Sequence, residues 1–427
     1  MQRNPTLALL QRYESRNVTF FEPDGSSPIV WESARGVHVW DDSGRKYLDF
    51  TGAFGVAIAG HANAKVVRAA TDQMRRLLHA MGDVHPHPRK AELARELSRV
   101  TFERWRAGSG KVIFTNSGFE AVEAALKTAF LATGKPKVIA FEGAYHGLGY
   151  GALNTTHRTH FREPFQRQLA GFAAFARFPV DETELADVGK AIQAHARTGK
   201  FGAILVEPIQ ARGGIRISPV GFLRLLRKIA DECGVLLIFD EIYTGFARTG
   251  RWFACEHSAT APDLVCVGKG LTGGFPLSAC IGKAAVMDTA WPASTGEAIH
   301  TSTFLGHPVG CAMALANIEE ITRLDLPRAA RANGRFLLDS LRRIQSTKLK
   351  LHARGLGLMA GLELRDLQNR PATKTAVSIV KNLLRGGFIF LPEGEHSNVI
   401  SFTPPLTITK AQLRSGVAVL QQEIDQL

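Results

Sequence analysis

Leu236-Leu237-Ile238-Phe239-Asp240-Glu241-Ile242 is an apolar run that ends abruptly in two carboxylates. It reads as a buried strand whose C-terminal end delivers Asp240 to a site, because ligands of α/β sheets gather where the strands end. Shortly after it, Leu264-Val265-Cys266-Val267 ends in Gly268-Lys269-Gly270 and delivers an amine in the same way.

Outward from this pair, apolar strands alternate with helical patterns from about residue 91, the signature of an α/β fold with a largely parallel sheet. The other strands are read at Val112-Ile113-Phe114, Lys137 to Phe141, Ala203 to Val206 and Ser278 to Ile281, and helices at Ala121 to Thr133, Gly221 to Cys233 and Gly310 to Leu324. Before this region lie a short helical pattern, a loop rich in Pro and Gly, and a hairpin signal around Asp41-Asp42-Ser43-Gly44. After it, helix and strand patterns alternate to a closing helix from Thr409, its N-cap. The expected division is an arm and part of a small domain over 1–75, a large domain over 76–324, and a smaller α+β domain over 325–427.

The chain has 427 residues, of which 45% are hydrophobic, enough for a large core and more than one domain. Its five cysteines form no CxxC pair, so free thiols in a reducing compartment are expected, with no disulfide framework and no metal site. The segment from Met1 to Arg16 lacks a secretory signal, and no apolar run reaches the roughly 18 residues of a membrane span. A cytoplasmic protein that neither enters a membrane nor binds nucleic acid is the expectation. The formal net charge of +13 is scattered, without the aromatic interleaving of a base-stacking platform, and points to anionic small ligands.

Several short motifs carry chemistry. A partly desolvated Lys269 amine can condense with an aldehyde, although in isolation it reads equally as a surface lysine in a Gly-rich loop. Asp240 can hold a pyridine nitrogen protonated, or simply cap a helix. Ser117-Gly118-Phe119 opens a helix and suits a phosphate, or is a plain N-cap. Tyr145, in Gly143-Ala144-Tyr145-His146-Gly147, can stack on a ring or fill space. Glu207 and Gln210 end another strand, and His300-Thr301-Ser302-Thr303-Phe304 supplies loop hydroxyls.

Taken together and in this order, from about residue 35 to the end, the motifs resemble the class III, or omega, branch of the pyridoxal phosphate aminotransferases, of fold type I. The resemblance implies pyridoxal 5'-phosphate as cofactor and a ping-pong transfer of an amino group from an amine or amino-acid donor to an oxo acid. It makes Lys269 the Schiff-base lysine and proton carrier, and Asp240 the partner of the pyridine nitrogen. Ile242 and Tyr145 would pack on the ring faces, with Gln210 near the phenol oxygen and Glu207 at the same edge. Ser117, Gly118 and the Phe119 backbone would hold the phosphate, joined by Thr303 of the other subunit, which implies a homodimer.

Three positions depart from the family's pattern. Phe119 stands where a small or hydroxyl residue is common, Tyr243 where Gln is usual, and Ser401 where many members that bind an α-carboxylate have Arg. Without that guanidinium the usual bidentate clamp is missing, so the substrate is left open. Phe54, Arg354 and Ser401 are the candidate substrate contacts. The segment around Ser401 is also similar to the branch containing amino-acid and aminocaprolactam racemases, which use the same lysine and phosphate cradle. A non-catalytic regulator or scaffold of the same fold would have to leave Lys269, Asp240 or Ser117 idle.

Overall fold

A computed structural model describes residues 4–427. Met1, Gln2 and Arg3, the start of the segment expected to carry no secretory signal, lie outside the described residues.

The strand that opens at Leu236 is central. The large sheet contains β1 (Gly110–Thr115), β2 (Lys137–Phe141), β3 (Ala173–Ala176), β4 (Phe201–Val206), β5 (Leu236–Asp240), β6 (Leu264–Val267) and β7 (Ser278–Lys283), ordered β1-β7-β6-β5-β4-β2-β3. Only β7 runs against its neighbours; the pairs from β6 through β3 are all parallel. A parallel sheet is covered on both faces, so its strands are apolar throughout rather than alternating. Accordingly Leu237 and Phe239 pack in one core cluster with Phe222 and Leu226 of helix Val220–Cys233, while Ile238 packs in another with Ala121 and Ala125 of helix Gly118–Thr133.

The strand at Ala173–Ala176 was not expected. Its sequence, Ala-Ala-Phe-Ala, lacks the β-branched residues that mark a strand, and it forms because it closes the sheet edge beside β2.

The remainder of the chain builds two smaller sheets. In one, the early hairpin strands His38–Asp41 and Lys46–Asp49 are completed from the far end of the chain, where Phe388 and Ile389 pair with Leu48 and Asp49. In the other, Val399–Phe402 lies between Met359–Arg365 and Leu391–Glu393, with Lys350–Leu356 at the edge. Thr409 caps the closing helix Lys410–Asp425, as expected, through a reciprocal pair with Gln412.

That helix meets the hairpin on an aromatic stack. The Phe50 ring lies 4.6 Å from Phe390, nearly parallel, and 5.8 Å edge-on from Phe402. Gly416 faces it so closely that an added Cβ would sit 2.1 Å from the Phe50 ring. In an open helix Gly→Ala stabilises by about 1 kcal/mol. Here the sign should reverse: Gly416→Ala is expected to cost about 1–3 kcal/mol through overpacking, seen as a lowered thermal midpoint.

Candidate active site

The carboxyl ends of the parallel strands surround a cavity of about 370 Å³. Each side chain arrives from the first residues after a strand. Tyr145 and His146 follow β2, Glu207 and Arg212 follow β4, Asp240, Ile242 and Tyr243 close β5, and Lys269 follows β6. Gly118 and Phe119, at the start of the helix after β1, also line it, with Gly147, Leu148, Ile209 and Ala211.

Asp240 is held from two sides. His146 Nδ1 lies 2.8 Å from one carboxylate oxygen, and the Ile242 N–H donates to the other at 3.1 Å. His146 is itself fixed by its backbone N–H, which donates to Thr156 Oγ1 at 2.9 Å, while its Nε2 is buried without a partner. Both carboxylate oxygens of this buried group thus have hydrogen-bond partners.

Lys269 sits between two glycines for a steric reason on at least one side: a Cβ on Gly268 would lie 2.7 Å from Ser278 Oγ. Its Nζ lies 4.8 Å from the centroid of the Tyr243 ring. Burial pulls the Lys269 amine below its ordinary pKa, and the charges of Asp240 and Glu207 oppose that shift. Tyr243 Oη lies 3.1 Å from Thr403 Oγ1, and that hydroxyl donates to the Thr51 carbonyl at 2.9 Å. With the Thr403 proton engaged there, Tyr243 is the donor to Thr403; burial pushes its pKa up to about 12, so the phenol is neutral.

At the helix start, the Glu120 carboxylate accepts from the backbone N–H groups of Asn116 and Ser117 at 2.7 and 3.0 Å. Ser117 Oγ is left buried without a hydrogen-bond partner. A buried, unpaired hydroxyl beside the first N–H groups of a 16-residue helix suits an anionic group such as a phosphate.

Lys269, Asp240, Gly118, Phe119, Tyr145, Glu207 and Ile242 thus line one cavity, with Ser117 beside it. Glu207 accepts the N–H groups of Tyr145 and Ala211 at 3.0 and 3.2 Å, so it braces the wall. Four residues expected in this subunit's own site lie outside the cavity lining. Gln210 does not line the cavity: its amide donates to the Glu142 carbonyl at 2.8 Å and lies 3.5 Å from Arg216. Ser401 is buried in its strand and donates to the Leu391 carbonyl at 3.0 Å. Arg354 donates to the carbonyls of Gly214 and Ile215 and to Glu363, which makes it a clamp on a loop outside the cavity lining. Phe54 is half exposed in a left-handed turn outside the cavity lining, and Thr303 is exposed on the same subunit's surface.

Sequence reasoning missed His146 and Arg212 and gave Tyr243 no role. His146 lay inside the motif quoted for Tyr145, and Arg212 two residues beyond Gln210. Their only sequence signal was their closeness to the end of a strand.

An amine and a carboxylate lining one cavity at the strand ends, beside an unpaired hydroxyl at a helix start, define a pyridoxal phosphate enzyme of fold type I. The chain matches the family model for aminotransferase class III over residues 21–424. It is 37% identical over 393 residues to an acetylornithine aminotransferase of Methanopyrus kandleri, covering 92% of this chain and 93% of that one. It is 36% identical over 409 residues to a 5-aminovalerate aminotransferase of Pseudomonas aeruginosa, covering 94% of each. Among solved structures, a Bacillus anthracis aminotransferase superposes with a TM-score of 0.90 at 26% identity, over 99% of this chain and 98% of that one. The chain belongs to the class III aminotransferases, which use pyridoxal phosphate.

Asp240's neighbour Glu241 is structural. It is fully buried and accepts from Thr244 Oγ1 and from the N–H groups of Ala254 and Cys255 at 2.9 and 2.8 Å. Burial raises it from 4.5 to about 7. The folded state therefore holds this proton more tightly than the unfolded chain, so the stabilisation is full below about pH 4.5 and is lost as pH rises through about 7. Unfolding midpoints should fall between pH 5 and pH 8, and Glu241→Gln should flatten that fall by up to about 3 kcal/mol, leaving the share due to Glu207.

Proposed function

We propose that Lys269 is the residue that holds the cofactor covalently and carries the reacting proton, in a transfer of an amino group from an amine or amino-acid donor to an oxo acid. The observation that carries this reading is that Lys269 and Asp240 line the same cavity, which the unpaired Ser117 hydroxyl adjoins. Pyridoxal phosphate, when bound, supplies an aldehyde that takes up the amino group and a ring that withdraws electrons from the donor's α-carbon.

The chain's own residues do the rest. Asp240, held by His146 and the Ile242 N–H, would face the ring nitrogen and hold its proton. Ser117, Gly118 and the Phe119 N–H would hold the phosphate, and Tyr145 and Ile242 would flank the ring. Lys269 Nζ would accept the proton of the donor's α-carbon and return it to the cofactor. Its lowered pKa favours the neutral amine needed to accept that proton.

Thr303 acts in a neighbouring subunit of a homodimer. Around it, Ile299, Phe304, Leu78, Met81 and Val84 are exposed apolar side chains, drawn together by the Thr301–Asp83 hydrogen bond of 2.7 Å and the His79–Phe304 contact of 5.3 Å. A contiguous apolar surface of this kind fits a second copy of the chain. The cysteines, all free, support a cytoplasmic setting, and among the described residues no helix is long and apolar enough to cross a membrane.

Lys269→Ala should lose the visible absorbance of lysine-bound cofactor and at least about 10³-fold in turnover. Turnover that survives the substitution would overturn the assignment. Sedimentation should give twice the 46.5 kDa of one chain. Phe304→Glu should shift that mass toward the monomer and weaken cofactor retention together; a monomeric variant that retains cofactor normally would remove Thr303 from the site.

A further inference from the structure

Position 401 carries no guanidinium, and the buried Ser401 hydroxyl donates to the Leu391 carbonyl. Arg354 is occupied by its clamp on Gly214 and Ile215. One guanidinium does line the cavity. Arg212 lies 5.3 Å over the Tyr145 ring, and its Nε is buried with no hydrogen bond.

Its ion-pair partner is Glu393, whose Oε2 is 3.4 Å from that Nε, beyond good hydrogen-bond length. Glu393 is 5% exposed and comes from the end of strand Leu391–Glu393, on a different sheet. The two loops are stitched together, since the Gly394 N–H donates to the Arg212 carbonyl at 3.2 Å. A second cation, Arg158, stands close enough that the charges of Arg212, Glu393 and Glu395 all act on it.

We propose that Arg212 is the anchor for the substrate carboxylate, and that Glu393 is the counter-ion it holds until a carboxylate arrives. The substrate class is then amino acids and oxo acids, in preference to amines that lack a carboxylate. Burial raises Glu393 above the ordinary carboxylate range against the pull of Arg212, Arg158 and Lys269, so it is a weak competitor for the guanidinium. This inference rests on reading the same cavity as the transamination site.

The test uses the holoenzyme and two readouts. In the first, isothermal titration with succinate and propionate, which carry carboxylates but no amine, measures binding without reaction. In the second, the donor half-reaction compares 4-aminobutyrate with butylamine. Arg212→Gln should weaken carboxylate binding about 10- to 100-fold and reduce the 4-aminobutyrate to butylamine preference by a similar factor. Arg212→Lys should recover part of both, and Glu393→Gln should tighten the carboxylates. Equal loss for both amines in Arg212→Gln would make the residue a support for Tyr145 and overturn the proposal, as would unchanged carboxylate binding. If wild-type holoenzyme converts no donor at all, the reaction assignment fails, while the titrations still decide the anchor.

Discussion

A buried carboxylate at the end of a parallel strand is the constraint on which this structure turns. Asp240 follows residues that are wholly apolar, and a buried polar group without partners there would be costly. Two donors from different parts of the chain supply those partners. The Ile242 N–H comes from the turn that follows the strand, and the His146 ring from the loop after β2, which must fold over β5 to deliver it. Glu207 and Glu241 are buried at the same edge and are supplied mainly by backbone N–H groups. Lys269 is thereby placed between opposing influences, since burial favours its neutral amine and Asp240 and Glu207 favour its charged form. An amine in that balance can both attack a carbonyl carbon and accept a proton.

A strained turn backs the Tyr243 ring. Gly52, Ala53, Phe54 and Gly55 have φ of 56°, 51°, 61° and 75°, one turn of left-handed helix in which Ala53 and Phe54 are each disfavoured by about 1–2 kcal/mol. Space forces the shape, because a Cβ on Gly52 would lie 2.7 Å from the Thr403 carbonyl and one on Gly55 2.6 Å from the Tyr243 ring. The turn is joined to the cavity through the Thr51 carbonyl, the Thr403 hydroxyl and the Tyr243 phenol. Strain of this kind persists only where the surroundings over-determine it, and here it fixes the ring beneath the Lys269 amine.

What was legible in the sequence follows from locality. Strands buried on both faces announce themselves as apolar runs, so the six strands from Val112 to Ile281 could be read directly, and with them the residues their ends deliver, Asp240 and Lys269. Strand Ala173–Ala176 lacked that signal. So did Lys350–Leu356, an edge strand with Lys350, His352 and Arg354 along it. Side chains whose role depends on a tertiary neighbour were not legible. Gln210 and Arg212 are two residues apart on one loop, yet only Arg212 lines the cavity, because the Glu142 carbonyl draws the Gln210 amide away. Glu393 matters only through a pairing across nearly half the chain, which no local pattern records.

The same reasoning separates the chemistry from the substrate. The residues toward the cofactor come from the ends of adjacent strands in one sheet, so the sheet alone fixes their relation. The guanidinium and carboxylate at the cavity wall come from a loop after β4 and from a strand of a smaller sheet. Their register depends on Arg354, which grips the carbonyls of Gly214 and Ile215 while held by Glu363. Arg248 donates through Nη1 to the Leu358 and Pro404 carbonyls and does not line the cavity. The selection of an anion falls to the guanidinium that lines the cavity with a donor the frame leaves unmet, Arg212. Ser401, bonded within its strand, therefore need not bear carboxylate recognition; the loop after β4 presents a guanidinium with an incomplete set of partners.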